Sequence, residues 1–270
     1  MQQFESDEQI FNRLSETKPD RIIFDKLDVS PELALKIKAE LGTKLIIFTN
    51  LTEANQHADM TVLADIGSNF KNIAKRETSG RIEYYGPKYW LLRPEFYEFK
   101  KLKKAHKSKI ENLMLMFGGA DPANMSSQVL DEILGMAEEF NVLLVLGGSF
   151  KHHSELNGVL EKNKLTKCRL RIAENLKEVA KEMYSSDVVF ASPGLSFFEA
   201  LAVGTPVVGF HQDELQRDVY ADILPTHGRE DVFKVPTILR DRTFLFPEDL
   251  LISQMEIGEG KDELIEEILR

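Results

Sequence analysis

The sequence predicts an α/β protein with two domains, each built on a parallel sheet. Short apolar runs typical of buried strands alternate with helical segments, and this alternation indicates parallel strands joined by helices. A segment rich in aromatic residues, proline and lysine, residues 84–109, separates two such series. Three loops that follow predicted strands contain glycine, as the ligand-binding edge of a parallel sheet does. We therefore expect two domains, with most ligand-binding signals in the second.

The first series of elements forms the expected N-terminal domain, residues 1–99. Strands and helices alternate in it, which favours a parallel sheet. The predicted elements are strands at residues 21–25, 44–50 and 60–64 and a helix at residues 31–41.

The second series forms the expected C-terminal domain, residues 100–270. It opens with six lysines in residues 100–109, which we interpret as a solvated helix face, with contact to an acidic partner as the alternative. A closing amphipathic helix is expected at residues 261–270. The elements between are strands at residues 112–117, 142–148, 168–173, 187–191 and 207–210 and helices at residues 126–140 and from about residue 195.

The stretch at residues 186–210 is the most informative part of the chain. Its first apolar run is too short for a helix and is bounded by turn residues, so it predicts a buried strand. Pro193 and Gly194 end this strand, and Ser196 with Glu199 matches a helix capping box. The start of a helix carries unpaired N–H groups that suit a diphosphate. The alternative is that Glu199 only caps the helix and Gly194 only turns the chain.

Two glycine pairs follow other strands of the second domain. Gly118 and Gly119 come after the strand at residues 112–117, and Gly147 and Gly148 end the next strand. In an open parallel sheet, ligands bind outside the carboxyl ends of the strands, so these pairs and the loop after residue 191 are expected to converge. Each pair alone is weak evidence because glycine also simply ends strands.

Composition restricts the partners of the chain. Lys and Arg total 34 against 44 Asp and Glu, and the net charge of −10 disfavours nucleic acid or an anionic membrane as the main partner. No apolar run has the length of a membrane span.

With Cys168 as the one cysteine, no intrachain disulfide can form, and we expect a cytoplasmic setting. His152 and His153 lack spaced carboxylate or cysteine partners, so we expect neither a metal nor a cofactor.

Three segments carry a family resemblance: FGGADPANM at residues 117–125, SPGLSFFEALAVGTPVV at residues 192–208 and GPKYWLLRPEF at residues 86–96. They resemble the nucleotide-sugar hydrolase of pseudaminic acid biosynthesis and the related spore coat polysaccharide protein SpsG. Both belong to the GT-B superfamily of paired Rossmann-like domains and are similar to MurG. The resemblance covers about residues 21–228. It implies a UDP-sugar bound mainly by the second domain and a role in surface glycan or polysaccharide biosynthesis.

The resemblance also implies roles for individual residues. Glu199 would bind the ribose hydroxyls, Gln216 would reach the diphosphate or the sugar, and uracil would lie near Ile172 and Ala173. Arg93 is a candidate for neutralising a phosphate between the domains, and an interdomain ion pair with Glu95 or Glu98 is the alternative. The residues expected to line the diphosphate are Gly118, Gly119, Ser192, Gly194, Leu195 and Ser196.

The chain departs from the family where the family performs catalysis. No Gly-x-Gly-His loop precedes residue 21, so we expect a truncated first domain with an incomplete sheet. Lys26 and Leu27 stand where the hydrolase has a tyrosine, and Leu215 stands where it has an asparagine. The catalytic residues are therefore unknown. Asp25 is a weak candidate for a base, against the alternative that it serves turn chemistry.

Three functions remain open on the sequence. The chain is a nucleotide-sugar hydrolase or glycosyltransferase, or it binds a nucleotide-sugar without turning it over. In the third hypothesis it is an interaction subunit, in which a second copy, a partner chain or a further domain completes the first sheet. UDP is the expected nucleotide, and CMP and GDP stay open.

Overall fold

The computed structural model describes residues 6–64, 74–78, 80–220 and 226–270. It divides into two compact units, the first ending at Trp90 and completed by Met255–Arg270, and the second formed by Leu91–Gln254. The sequence-based boundary after residue 99 differs from this division. The helix Pro94–Lys100 packs on helices of the second unit, and its Phe96 is fully buried. At the other end of the chain, the backbone of Gly260 lies against the Tyr89 ring of the first unit.

The first unit contains a five-stranded sheet in the order β1, β2, β3, β5, β4 within the described residues. Three strand pairs are parallel, and β4 is antiparallel to β5. The strands are β1 (Arg21–Asp25), β2 (Lys44–Phe48), β3 (Met60–Leu63), β4 (Ala74–Thr78) and β5 (Arg81–Tyr85). The predicted strands at residues 21–25, 44–50 and 60–64 are present, whereas the β4–β5 hairpin was not predicted.

Helices cover both faces of this sheet. On one face α1 (Asp7–Thr17) and α2 (Pro31–Glu40) share a core with alternate side chains of β1 and β2, among them Ile22 and Leu45. On the other face Leu264 of α11 (Lys261–Leu269) packs with side chains of β2, β3 and β5. The helix predicted at residues 31–41 is confirmed. Ser30 caps it by accepting a hydrogen bond from the Leu33 N–H.

The second unit contains a six-stranded sheet in the order β11, β10, β9, β6, β7, β8 within the described residues, and all its pairs are parallel. Its strands are β6 (Asn112–Met116), β7 (Asn141–Leu146), β8 (Arg169–Glu174), β9 (Val188–Ala191), β10 (Val207–Phe210) and β11 (Thr226–His227). Its helices are α3 (Pro94–Lys100), α4 (Met125–Leu134), α5 (His153–Lys162), α6 (Val179–Ser185), α7 (Leu195–Ala202), α8 (Glu214–Tyr220), α9 (Val235–Asp241) and α10 (Leu250–Ser253). The α/β class and the parallel sheets are therefore confirmed.

Two sequence-based expectations about the second unit are wrong. The helix predicted at residues 126–140 ends at Leu134, because the chain turns at Gly135 and places Phe140 in the core from a non-helical segment. The basic stretch at residues 100–109 is not a solvated helix face. Its helix ends at Lys100, and the Lys104 ammonium group donates to the Tyr184 carbonyl at 2.6 Å.

The Lys104 ammonium group also donates to the Ser186 carbonyl, and to the Thr205 hydroxyl at 2.7 Å. Burial lowers the pKa of Lys104 to about 8. These contacts fasten the segment before β6 to the ends of α6 and α7. The lysine is thus a structural donor to carbonyl groups and not part of a free basic surface.

Candidate functional site

The strand order of the second unit creates a switch point between β6 and β9. From β6 the chain runs outward to β7 and β8, and it then returns to the other side of β6 to form β9, β10 and β11. Loops that leave β6 and β9 therefore run in opposite directions and open a crevice at the carboxyl edge of the sheet. We call this the switch-point crevice and define it by residues 117–119 after β6 and residues 192–196 after β9.

The loops after β6 and β7 form a single glycine shelf, defined as Gly118, Gly119 and Gly147. A Cβ atom at Gly147 would lie 2.3 Å from the carbonyl oxygen of Gly119 and 2.5 Å from that of Gly118. The Ser149 N–H donates to the Gly119 carbonyl at 3.0 Å. Gly118 has a φ of +85°, which favours glycine. Only glycine at position 147 permits this close approach of two backbones.

The start of α4, just beyond the shelf, is already occupied by a carboxylate. Asp121 accepts hydrogen bonds from the Met125 and Ser126 N–H groups, both at 2.8 Å, and is almost fully buried. It therefore satisfies the donors that a helix start would otherwise offer to an anion. The start of α4 is therefore not a candidate phosphate site.

The start of α7 is different, because no side chain caps it. Gly194 is the N-cap residue with a φ of +143°, and its carbonyl accepts from the Phe197 and Phe198 N–H groups. The predicted opening of this helix near Leu195 is confirmed. The capping box is wrong, since Ser196 lies inside the helix. The start of α7 therefore has backbone donors that no capping side chain satisfies, in contrast to the start of α4.

The Glu199 carboxylate forms a two-point ion pair with Arg93. Nε of Arg93 lies 3.1 Å from Oε1, and Nη2 lies 3.1 Å from Oε2. The Glu199 side chain is 2% exposed, whereas the Arg93 side chain is 44% exposed. Burial raises the pKa of Glu199, and the Arg93 guanidinium opposes that rise. Glu199 therefore serves neither as a cap nor, in this structure, as an open acceptor.

Of the two alternative partners of Arg93, one lies farther away than Glu199 and the other pairs with a lysine. Nη1 of Arg93 lies 3.8 Å from Glu95, while Glu98 pairs with Lys101 at 2.8 Å. Arg93 and Glu199 both belong to the second unit, so their ion pair lies within one unit. The guanidinium also lies over the Phe96 ring, with its central carbon 4.8 Å from the ring centre. Arg93 is thus held at α3 while part of its side chain stays open to solvent.

Gln212, a residue that sequence analysis missed, bridges the switch-point crevice. Its Nε2 donates to the Phe117 carbonyl at 2.7 Å and to the Ser192 hydroxyl at 2.8 Å. Gln216, the residue selected from the sequence, accepts from the Gln212 N–H at 2.8 Å. The structure thus brings Gly118, Gly119, Ser192, Gln212 and Gln216 to one edge of the sheet.

Comparison with known proteins finds two relatives in sequence. No protein-family model matches the chain. An uncharacterised protein of Methanocaldococcus jannaschii is 36% identical over 263 residues, which is 96% of this chain and 52% of that protein. The spore coat polysaccharide biosynthesis protein SpsG of Bacillus subtilis is 26% identical over 210 residues, which is 77% of this chain and 60% of SpsG. The chain is therefore similar in sequence to SpsG over most of its length. It spans between half and two thirds of the length of these two relatives.

Solved structures are similar to this chain at the level of the fold. The UDP-GlcNAc 2-epimerase of Neisseria meningitidis, bound to UDP-GlcNAc, has a TM-score of 0.62 at 11% identity, over 100% of this chain and 83% of the epimerase chain. MurG of Acinetobacter baumannii has a TM-score of 0.59 at 12% identity, over 97% of this chain and 77% of the MurG chain. The fold is therefore of the GT-B type.

Three other residues selected from the sequence lie outside the residues that define the switch-point crevice. Ile172, with 39% exposure, and Ala173 lie on β8 at the edge of the sheet. Asp25 ends β1 in the first unit and accepts a hydrogen bond from the Thr49 hydroxyl at 3.2 Å, a contact of the kind expected for turn chemistry. Their proposed roles stay predictions.

Two histidines that sequence analysis did not consider lie at the ends of neighbouring strands. His211 follows β10, and His227 ends β11. Burial lowers the pKa of His227, while Asp231, 3.9 Å from its Nδ1, opposes that shift. Across the described ranges, no cluster of His, Cys, Asp or Glu has a geometry that holds a metal ion. Among the described helices, none has both the length and the apolar character that crossing a bilayer requires.

Proposed function

We propose that the chain binds the nucleoside diphosphate of a UDP-sugar at the switch-point crevice and acts in surface glycan or polysaccharide biosynthesis. The observation that carries this proposal is the uncapped start of α7 beside the glycine shelf. A diphosphate needs several N–H donors at close range, and glycine lets it approach the backbone. The acidic chain attracts an anion only through such a local site.

In this proposal the backbone does most of the recognition. The Leu195 and Ser196 N–H groups hold one phosphate at the positive end of α7, and the shelf glycines approach the other. The Ser192 hydroxyl, which Gln212 orients, supplies a side-chain contact. Uracil lies toward Ile172 and Ala173 of β8. CMP and GDP are the competing nucleotides.

Glu199 and Arg93 act as a pair in the proposed site. Both carboxylate oxygens already accept from Arg93, so a ribose hydroxyl reaches Glu199 only when the guanidinium gives up part of its contact. We propose that Arg93 then turns toward the diphosphate, since almost half of its side chain is already exposed. Nucleotide binding exchanges one ion pair for another.

Relatives support the proposed class of ligand. SpsG is named for spore coat polysaccharide biosynthesis, and the epimerase with the same fold was solved with UDP-GlcNAc. Hydrolysis and glycosyl transfer are the two reactions we propose for an active chain. In both, the donor site holds the leaving diphosphate and stabilises its charge through backbone dipoles.

A proline at position 195 tests the proposed donor site. Leu195→Pro removes one N–H group at the first position of α7, where proline is tolerated. We expect UDP to bind about tenfold more weakly, because one hydrogen bond to a charged group is lost. Isothermal titration of UDP, UDP-N-acetylhexosamines, CMP and GDP measures the change, and Leu195→Ala is the matched control that keeps the N–H. No binding of any nucleotide to the wild-type chain would refute the donor-site proposal, and released UDP after overnight incubation would identify an enzyme.

A second candidate function is that of an interaction subunit, and it is favoured by the outer edge of β1, which no other described strand covers. Within the described residues β1 pairs only with β2, and Ile23 of β1 is 52% exposed. An open strand edge with an apolar side chain is a surface for strand pairing with a second copy of the chain. We expect Ile23→Glu to shift the chain toward the monomer in sedimentation velocity. A wild-type chain that is monomeric at every concentration would contradict this candidate.

A further inference from the structure

We infer that Gln212 is a positioning residue that sets the spacing of the two diphosphate loops across the switch-point crevice. The inference deepens the proposed function and rests on it. It also changes the role of Gln216, which resemblance places against the diphosphate or the sugar. In our inference Gln216 supports Gln212 and does not itself contact the ligand.

Gln212 lies at a point in the topology from which it reaches two separate loops. It follows β10, yet its side chain reaches the loops after β6 and β9, which leave the switch point in opposite directions. Nothing in the strand ladder holds such diverging loops together. One side-chain amide connects them, from the Phe117 carbonyl to the Ser192 hydroxyl.

The side-chain amide of Gln212 makes all its hydrogen bonds within the protein. Its two donors go to Phe117 and Ser192, and its oxygen accepts from the Ala123 N–H at 3.3 Å. A primary amide offers two donors and one acceptor oxygen, so no donor remains for a ligand. Gln212 therefore acts on a diphosphate through the loops it holds.

Gln216 supports the backbone of Gln212. Its side-chain oxygen accepts from the Gln212 N–H at 2.8 Å, and its own N–H donates to the Asp213 carboxylate at 2.7 Å. These bonds tie the first turn of α8 to the backbone of Gln212. Gln216 thus holds the backbone of Gln212, whose side chain connects the loops after β6 and β9.

Substitutions of similar size separate positioning from general stability. Gln212→Met keeps the length of the side chain and removes every hydrogen bond to the loops. Gln212→Glu removes both donors and brings a negative charge beside the Phe117 carbonyl and the proposed diphosphate. Gln216→Met removes the hydrogen bond that the Gln212 N–H donates, and it leaves the Gln212 side chain unchanged.

The test compares UDP with uridine, which lacks the diphosphate. We expect Gln212→Met to weaken UDP binding about tenfold, the loss of one to two hydrogen bonds, and to leave uridine within about twofold. Gln212→Glu is expected to weaken UDP further because of charge repulsion, and Gln216→Met to weaken it less than Gln212→Met does. Titration calorimetry gives the UDP values, and ligand-observed NMR gives those for uridine.

The outcomes are distinct. If Gln212→Met is folded in circular dichroism and loses affinity for UDP but not for uridine, the inference is supported. Equal losses for UDP and uridine indicate a purely structural role and overturn it, as do unchanged affinities in both Gln212 variants. If Gln212→Met does not fold, a selective UDP loss in Gln216→Met supports the inference and an unselective one overturns it. A wild-type chain that binds no UDP refutes the proposed function itself, and the inference with it.

Discussion

Gly147→Ala is expected to lower the free energy of unfolding by about 3 kcal/mol and to abolish measurable UDP binding. The added Cβ would lie 2.3 Å from the Gly119 carbonyl oxygen, a backbone atom that cannot rotate away. Either β7 or the loop after β6 has to shift, and both moves open the glycine shelf. Urea unfolding and UDP titration of the variant measure the two effects.

Gly158→Ala is the matched control for this prediction. Gly158 lies exposed in α5, and a Cβ there would meet no atom within 4 Å. Alanine in a helix is more favourable than glycine, so we expect a gain of about 0.5–1 kcal/mol and unchanged UDP binding. A Gly147→Ala variant as stable as the wild type would show that the two loops do not pack as described.

Arg93→Ala is expected to destabilise the second unit by about 3 kcal/mol at neutral pH, because it leaves the buried Glu199 carboxylate without its counter-charge. Arg93→Lys keeps the charge but loses the two-point geometry, so we expect an intermediate loss. Glu199→Gln in the Arg93→Ala background removes the unpaired charge and is expected to recover part of the stability. A double-mutant cycle by urea unfolding measures the coupling.

The loss of stability expected for Arg93→Ala depends on pH in a direction that can be predicted. Burial raises the pKa of Glu199 above its value in the unfolded chain, and removing Arg93 raises it further. Stability from such a group is present below the unfolded pKa and is lost as pH rises through the folded pKa. The deficit of Arg93→Ala relative to wild type is therefore smallest in mild acid and grows toward neutral pH. A deficit that is constant with pH would contradict an ionised Glu199 as its cause.

Local pattern was sufficient to predict the strands and most helices near the site. The run at residues 187–191, ended by Pro193 and Gly194, predicted both β9 and the opening of α7 near Leu195. Apolar runs and turn residues are patterns of a few neighbouring positions, so they can be recognised in a single sequence. The same local pattern misled at Ser196, since a capping box depends on where the first helical turn actually begins.

Contacts between distant segments could not be predicted from such patterns. Arg93 and Glu199 are 106 residues apart in the sequence, and they meet because α3 packs against α7. Gln212 looked no different from its polar neighbours until the strand order placed it over the loops after β6 and β9.

By itself the sequence determined the α/β class, the parallel sheets, the glycine loops at strand ends and the family that these segments resemble. The tertiary structure alone decided which helix start is open and which is capped, that Glu199 is paired with Arg93, and that Gln212 bonds to the loops after β6 and β9. The physical reason is that hydrophobic periodicity and turn chemistry act between near neighbours in the chain. Hydrogen bonds and ion pairs between remote side chains form only after packing brings their elements together.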